Sequence, residues 1–262
     1  MSEALELRVH GESTRPTLIY LPGIHGDWTL VGSFRRALQG RVRFVEMTYP
    51  RTPDWTLDDY AKSIEAALEK AGIGCGWLLG ESFGSQVLWP LVQRWNLDVQ
   101  GIILAGGFGK YPIRWSVSVA MKLINAATPL AMQKTILAYM RISRWRYRSS
   151  PEVLESIGEF ARRRTEPDRL AIRHRLKLII ENNPETACEE CSAPIFAVTG
   201  LLDPIVPWFL AKPWLRTHCP SLQAYKIIPK ADHNVLGTAA DQSAAQVLRW
   251  MGISNDPTAA EA

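Results

Sequence analysis

The chain has 262 residues with a formal net charge of +4, and 47% of its residues are hydrophobic. A chain of this length and composition buries a large core without a disulfide or a metal. The small net charge gives no reason to expect a nucleic-acid partner, and no apolar run reaches the roughly 18 residues that stable membrane insertion needs. Because residues 1–10 lack the apolar core of a signal peptide, we expect a cytoplasmic protein.

Short apolar segments alternate with helical ones towards both ends of the chain. The predicted strands are rich in β-branched and aromatic residues, or alternate apolar with polar positions. They span residues 5–9, 17–21, 42–47, 75–79, 99–105, 194–199 and 223–228. The predicted helices, which place apolar residues three and four positions apart, span residues 57–71, 85–95 and 239–251. Pro90 lies inside the second helix and predicts a kink or an early end.

This alternation predicts an α/β fold, with a mostly parallel sheet and helices on both of its faces. The pattern breaks at residues 108–192, where the sequence is helical, aromatic and rich in arginine and contains no good strand. We therefore expect residues 1–107 and 193–262 to form the core, and residues 108–192 to be inserted as a helical cap or lid. The small polar residues at 254–262 predict a disordered tail.

Ser82 lies in the turn Gly80-Glu81-Ser82-Phe83-Gly84, directly after a predicted strand and before a predicted helix. This is the setting of a nucleophile elbow, a tight turn that strains the serine backbone and presents its hydroxyl at the C-terminal edge of a sheet. Side chains at the flanking glycines would clash with the neighbouring strand and helix. The alternative is an ordinary glycine-rich turn between a strand and a helix.

His233 is the best candidate for the base that a serine hydroxyl needs. It follows the last predicted strand after a short link, so we expect it at the same sheet edge as Ser82. Asp203 comes directly after the strand predicted at residues 194–199, and is the candidate acceptor for the second ring nitrogen. Asp232 is the rival acid, although adjacent residues on a loop seldom point at one another. The alternative for His233 is a solvent-exposed loop histidine.

Two backbone N–H groups are expected to stabilise the oxyanion that forms when Ser82 attacks a carbonyl. One is the amide of Phe83, the residue after the serine. The other is expected from the loop Leu21–Gly26, which follows a strand and contains two glycines, and Ile24 is its favoured donor. His25 and Glu81 are candidate residues of the adjoining pocket.

These four separated motifs, in this order, make the chain resemble the α/β-hydrolase superfamily over about residues 15–107 and 193–252. The family commonly has His-Gly where this chain has Pro22-Gly23, a change that preserves the backbone role. A serine nucleophile argues against the epoxide hydrolase and haloalkane dehalogenase branches, which use Asp there. The resemblance implies a serine hydrolase with no cofactor or metal, which works through an acyl-enzyme intermediate. It leaves the substrate open.

Our leading hypothesis is hydrolysis of a small-molecule carboxylic ester by Ser82, Asp203 and His233. The same residues also serve thioester or amide hydrolysis, cleavage of carbon–carbon bonds and acyl transfer. A hypothesis from another class is a catalytically silent binding protein on the same scaffold.

The inserted segment is strongly basic. Residues 110–177 hold 15 Lys and Arg against 5 Asp and Glu, whereas the remainder of the chain holds 15 basic and 21 acidic residues. Its arginines include Arg141, Arg144, Arg146, Arg148, Arg162, Arg163 and Arg164. They form either a solvated helical surface or a surface that attracts anionic substrates or a membrane. Cys188 and Cys191 have a metal-like spacing without a second pair of ligands, so we interpret them as ordinary thiols.

Overall fold

The computed structural model describes residues 4–94, 98–126, 151–163 and 165–254, together with residues 134, 138, 141, 142, 147 and 148. Within this part of the chain, seven strands form one sheet. They are β1 (Glu6–His10), β2 (Thr17–Leu21), β3 (Arg43–Thr48), β4 (Cys75–Glu81), β5 (Asp98–Ala105), β6 (Ile195–Gly200) and β7 (Leu222–Ile228).

The sheet has the order β1-β3-β2-β4-β5-β6-β7. Only β1 pairs antiparallel, with β3, and every other neighbouring pair is parallel. All five residues of β2 are buried, as are all residues of β4 except Cys75. These strands are almost continuously apolar because both of their faces are covered. The predicted α/β fold with a mostly parallel sheet is confirmed.

The helices of the described residues lie between the strands and after them. They are α1 (Gly32–Ala37), α2 (Leu57–Lys70), α3 (Gly84–Arg94), α4 (Arg114–Ala126), α5 (Pro151–Arg162), α6 (Glu166–Glu181), α7 (Glu185–Glu190), α8 (Trp208–His218), α9 (Val235–Thr238) and α10 (Ala240–Trp250). None of these helices has the length and apolar character needed to cross a membrane.

The predicted helices are observed with small shifts at their ends. The α3 helix begins at Gly84 and continues past Pro90 to Arg94, so the early end suggested by the proline does not occur. Trp95, the last residue of the predicted helix, and residues 255–262 of the predicted tail lie outside the described residues. The α1 helix was not predicted, because its six residues make less than two turns and leave too short a periodic pattern.

Two large apolar clusters cover the two faces of the sheet. Along β2, Ile19 and Leu21 belong to one cluster, whereas Leu18 and Tyr20 belong to the other. Alternate side chains of a strand point to opposite faces, so each buried strand contributes to both clusters. Packing on both faces therefore holds the strands in place. In open α/β sheets, functional sites lie in the loops at the C-terminal ends of the strands.

The inserted residues 108–192 contain helices and no strand in their described part. The second half of the insertion packs into the core, because Leu178 and Ile179 of α6 and Ala187 of α7 belong to the same cluster as Leu88 of α3. A small separate cluster lies in the first half of the insertion and the start of α5. It consists of Tyr147, Val153 and Ile157. Phe108, Tyr111 and Val117, at the start of the insertion, also belong to the core cluster. The insertion thus joins the core at both of its ends, and its middle part forms a cluster of its own, against which Leu30 packs.

Candidate active site

The turn around Ser82 joins the end of β4 to the start of α3. Ser82 has a φ of +49°, the one positive φ of a non-glycine residue within the described ranges. Its amide donates to Ala105 O at 3.0 Å, and its carbonyl oxygen accepts from the Ser85 amide at 3.0 Å and the Ser85 hydroxyl at 2.6 Å. These bonds hold the serine in the left-handed conformation, which is costly for a residue with a Cβ.

The glycines on either side of the turn allow it to lie against its neighbours. A Cβ at Gly84 would lie 2.1 Å from the carbonyl oxygen of Leu21 in β2. A Cβ at Gly80 would lie 3.0 Å from the backbone of Ser85 in α3. The predicted reason for both glycines, close approach to a strand and to a helix, is therefore confirmed.

The structure brings Ser82, His233 and Asp203 together in one hydrogen-bonded chain. The Oγ atom of Ser82 is 2.8 Å from Nε2 of His233. The Nδ1 atom of the same ring is 2.8 Å from Oδ2 of Asp203. The Asp203 side chain is fully buried, whereas that of His233 is 22% exposed. With Asp203 ionised, Nδ1 carries the ring proton and Nε2 is left to accept the proton of the serine hydroxyl.

The loop after β6 fixes the direction of the Asp203 carboxylate. Its Oδ1 atom accepts hydrogen bonds from the amides of Ile205 at 2.8 Å and Val206 at 2.9 Å, which leaves Oδ2 facing His233. The rival acid Asp232 points elsewhere: it accepts from the Asn234 amide and from the hydroxyl of Tyr147 in the insertion. Of the two carboxylates, Asp203 is the one that contacts the imidazole.

The loop after β2 faces the serine turn. A Cβ at Gly23 would lie 3.6 Å from Cβ of Ser82, so the backbone here runs alongside that serine. The Gly26 amide donates to Gly23 O at 2.9 Å and closes a turn around Ile24. Among the described residues, the amides of Ile24 and Phe83 donate to no backbone carbonyl. Two N–H groups on neighbouring loops therefore stay available for a ligand oxygen.

A family model described as "Alpha/beta hydrolase family" matches residues 9–247. The chain belongs to the alpha/beta hydrolase family. The matched range covers nearly the whole sheet and the inserted segment. A comparison of the sequence with curated proteins finds no significant match.

Solved structures share the fold of this hydrolase at low sequence identity. An esterase from Thermogutta terrifontis aligns with a TM-score of 0.76 at 16% identity, over 95% of this chain and 93% of that one. An esterase from Rhodococcus sp. ECU1013 aligns at 0.74 and 17% identity, over 95% and 94% of the two chains. The enol-lactonase from Burkholderia xenovorans LB400 aligns at 0.74 and 15% identity, over 95% and 96%. The identities are low enough that these likenesses establish the fold alone.

The two candidate pocket residues of this alpha/beta hydrolase have different surroundings. His25 makes an edge contact with Phe160 of α5, with ring centroids 4.4 Å apart, so it lies where the loop after β2 meets the insertion. Glu81 is 7% exposed and accepts a hydrogen bond from the Tyr20 hydroxyl in β2. Burial raises the pKa of Glu81, although the hydrogen bond from Tyr20 and the nearby His233 act in the opposite direction. Glu81 therefore lies within the core beneath the serine.

Two residues that contact the site were not singled out from the sequence. Arg175 in α6 donates to the carbonyl oxygen of Ile24, although the sequence counted it among the charges of a basic surface. The available signal was its spacing from Asp168, Ala171 and Leu178, which share the buried face of α6. Gly106 follows β5 with a φ of +54°, and a Cβ there would lie 2.9 Å from His233 O. No local pattern marks that contact.

Within the described residues, no group of three or more His, Cys, Asp or Glu side chains is arranged to hold a metal ion. Cys188 and Cys191 are both buried and free. The hydrogen-bonded chain of serine, histidine and carboxylate is itself suited to generate a nucleophile, because it provides a base next to the hydroxyl and an acceptor behind that base.

Proposed function

We propose that this protein is a serine hydrolase that cleaves small-molecule carboxylic esters. The observation that carries the proposal is the continuous contact from Ser82 Oγ through the His233 ring to the buried Asp203 carboxylate, each link 2.8 Å long. The two available amides of Ile24 and Phe83 add a site for a developing oxyanion beside the same hydroxyl.

In the first half of the reaction, Ser82 Oγ attacks the ester carbonyl carbon while Nε2 of His233 takes the hydroxyl proton. The carbonyl oxygen becomes an oxyanion that accepts hydrogen bonds from the amides of Ile24 and Phe83. Asp203 stabilises the imidazolium through Nδ1. Collapse of the tetrahedral intermediate breaks the bond to the alkoxy group. The leaving oxygen receives the proton from Nε2, so an alcohol departs and Ser82 stays acylated.

In the second half, water replaces the alcohol. His233 takes a proton from the water as its oxygen attacks the acyl carbon, and the same two amides receive the second oxyanion. Breakage of the bond to Ser82 Oγ releases the carboxylic acid, and Nε2 returns the proton to the serine. The cycle consumes one water and needs no other reactant.

The named relatives support an ester as the substrate. Two of the solved structures with this fold are described as esterases, and a third as an enol-lactonase. Thioester or amide hydrolysis, carbon–carbon bond cleavage and acyl transfer use the same three residues. Product analysis over a panel of these substrates separates them from ester hydrolysis.

Replacement of the serine tests the proposal. Ser82→Ala should lower kcat on p-nitrophenyl esters by roughly 10³- to 10⁶-fold, because the nucleophile is lost while the pocket remains. A fluorophosphonate probe should label the wild-type chain at Ser82 and fail to label this variant. Ser63→Ala, a change on α2 away from the site, is the control and should keep both properties. Full esterase activity in Ser82→Ala, or an unlabelled wild-type chain, would contradict the proposal. A series of acyl chain lengths then defines the pocket.

We also propose that residues 108–192 cap the site and that the protein acts in the cytoplasm. Two contacts between the insertion and the loops of the site support the cap: His25 with Phe160, and Asp232 with Tyr147.

The cytoplasmic location is supported by four free cysteines, because thiols persist in a reducing compartment. Cell fractionation with detection of the tagged protein tests the location.

A further inference from the structure

Arg175 is a buried cation at the centre of the contact between α6 and the loops beside the serine. It is 1% exposed. Its guanidinium donates to Ile24 O at 2.8 Å, to Pro50 O at 3.0 Å and to the Tyr60 hydroxyl at 3.2 Å. It also lies 5.5 Å from the ring centroid of Tyr49. A guanidinium is costly to remove from water, and these contacts offset that cost.

The hydrogen bonds of Arg175 go to neutral oxygens. Other arginines of the described residues pair with acids: Arg35 with Glu46 at 2.7 Å and Arg51 with Asp168 at 2.8 Å. Within the described ranges, no carboxylate lies within ion-pair distance of Arg175. Its charge is therefore balanced by carbonyl dipoles and aromatic faces, and one of those carbonyls belongs to Ile24.

The loop that contains Ile24 is shaped to receive this side chain. Gly26 has a φ of +77°, and a Cβ there would lie 2.4 Å from Nη1 of Arg175. The guanidinium thus lies directly against the backbone of the turn. The Gly26 carbonyl oxygen accepts from the Tyr49 amide at 2.7 Å, so the far side of the turn is tied as well. The orientation of the Ile24 backbone consequently depends on a side chain from the insertion.

We propose that Arg175 is a positioning residue for the oxyanion hole. It holds the turn Gly23–Gly26 so that the Ile24 amide points at the oxyanion, and it adds a positive charge behind that loop. This inference rests on the proposed ester hydrolysis by Ser82. Loss of the three hydrogen bonds lets the Ile24 amide move away from the developing charge. The effect should appear in kcat with little change in KM, because that amide acts mainly in the transition state.

Paired ester and thionoester substrates test the proposal. A thiono sulfur is larger and a weaker hydrogen-bond acceptor than oxygen, so an intact oxyanion hole favours the ester over the thionoester. The variants are Arg175→Met, which keeps the apolar stem, and Arg175→Lys, whose single ammonium cannot reach all three acceptors together. Arg173→Met is the matched control, because Arg173 is an exposed residue of the same helix. Circular dichroism and Tm report folding, and Arg175→Lys carries the test if Arg175→Met does not fold.

We expect kcat on the ester to fall about 10- to 100-fold in both Arg175 variants, with a much smaller loss on the thionoester and no change in Arg173→Met. An equal loss on both substrates, or no loss, would overturn the proposal and leave Arg175 with a role in packing.

Labelling with a fluorophosphonate probe distinguishes failure of this proposal from failure of the proposed ester hydrolysis. The phosphoryl oxygen of the probe also occupies the oxyanion hole, so the labelling rate depends on that hole even when no ester is hydrolysed. If the wild type is labelled but hydrolyses no ester, slower labelling of the Arg175 variants still supports the positioning role, and equal labelling overturns it. An unlabelled wild type overturns both proposals.

Discussion

At the scale of single residues, the site depends on which of two candidate aspartates, Asp203 or Asp232, contacts the histidine. Asp203 reaches His233 across 30 residues of chain, whereas Asp232 is adjacent to it and turns towards Tyr147. The sequence favours Asp203 because it lies in the loop directly after a strand, whereas adjacent loop residues such as Asp232 and His233 seldom point at one another. The actual orientation depends on the amides of Ile205 and Val206, which no sequence pattern reveals.

The two aspartates offer a matched pair of substitutions. Asp203→Asn should keep the fold and lower kcat by roughly 10³- to 10⁴-fold, because an amide nitrogen facing Nδ1 favours the wrong tautomer of His233. Asp232→Asn removes the same charge one residue from the histidine and should change kcat by only a few-fold. Steady-state kinetics on a p-nitrophenyl ester, with Tm as the folding control, measure both effects. A larger loss in Asp232→Asn than in Asp203→Asn would show that the wrong acid has been assigned.

At the scale of elements, the serine turn depends on the packing of α3 against β2. Gly84, the first residue of α3, lies so near Leu21 that a methyl group has no space. Leu21 is also the last residue of β2, directly before the residues that lead to Ile24. The distance between the Ser82 hydroxyl and the Ile24 amide is therefore set by how closely the start of α3 approaches the end of β2.

Adding one methyl group at Gly84 should separate these elements. Gly84→Ala is expected to lower the free energy of unfolding by about 3 kcal/mol and to abolish most esterase activity, since the clash is with backbone that cannot rotate away. Gly74→Ala is the control, because a Cβ at Gly74 meets nothing within 4 Å. Chemical denaturation and ester kinetics on both variants test this expectation. A Gly84→Ala protein as stable and active as Gly74→Ala would contradict it.

The elements themselves were largely predictable from local pattern. The strand at Thr17–Leu21 is observed at the predicted residues, because a short run of buried apolar residues ended by Pro22-Gly23 leaves few alternatives. What local pattern cannot supply is contact between distant elements. Arg175 in α6 and the carbonyl of Ile24 are 151 residues apart, so only the folded chain brings them together.

At the scale of the whole molecule, some of the arginines of the insertion are buried or bound to other groups of the chain. Arg175 is buried, Arg114 donates to Ile180 O, and Arg163 pairs with Glu159 at 3.5 Å. Arg141, Arg148 and Arg162 are exposed, whereas Arg144, Arg146 and Arg164 lie outside the described residues. The attraction of anionic substrates or of a membrane surface therefore rests on fewer side chains than the composition suggests, and it remains a proposal.

A salt titration tests that proposal. We expect kcat/KM for a carboxylate-bearing ester to fall several-fold from about 0.01 to 0.3 M salt, while a neutral ester of equal size changes little, because salt screens exposed charges. Replacing Arg141 and Arg148 together by Gln should reduce the slope for the anionic ester alone. If kcat/KM depended on salt equally for the two esters, the proposed attraction would be wrong, and these arginines would form only a solvated surface.

The divided packing of the insertion limits how this fold can diversify. A relative that acquires a different lid can exchange the part of the insertion around Tyr147, Val153 and Ile157, which forms a cluster of its own. Exchange of all of residues 108–192 would also remove Phe108, Tyr111 and Val117 from the core cluster, together with Arg175 and the hydrogen bond of 2.9 Å between Asn182 and Gln86. Chimeras that keep residues 106–126 and the helices α6 and α7 should therefore fold and keep esterase activity while their substrate range changes. The boundaries between the parts joined to the core and the separately packed part lie within the insertion.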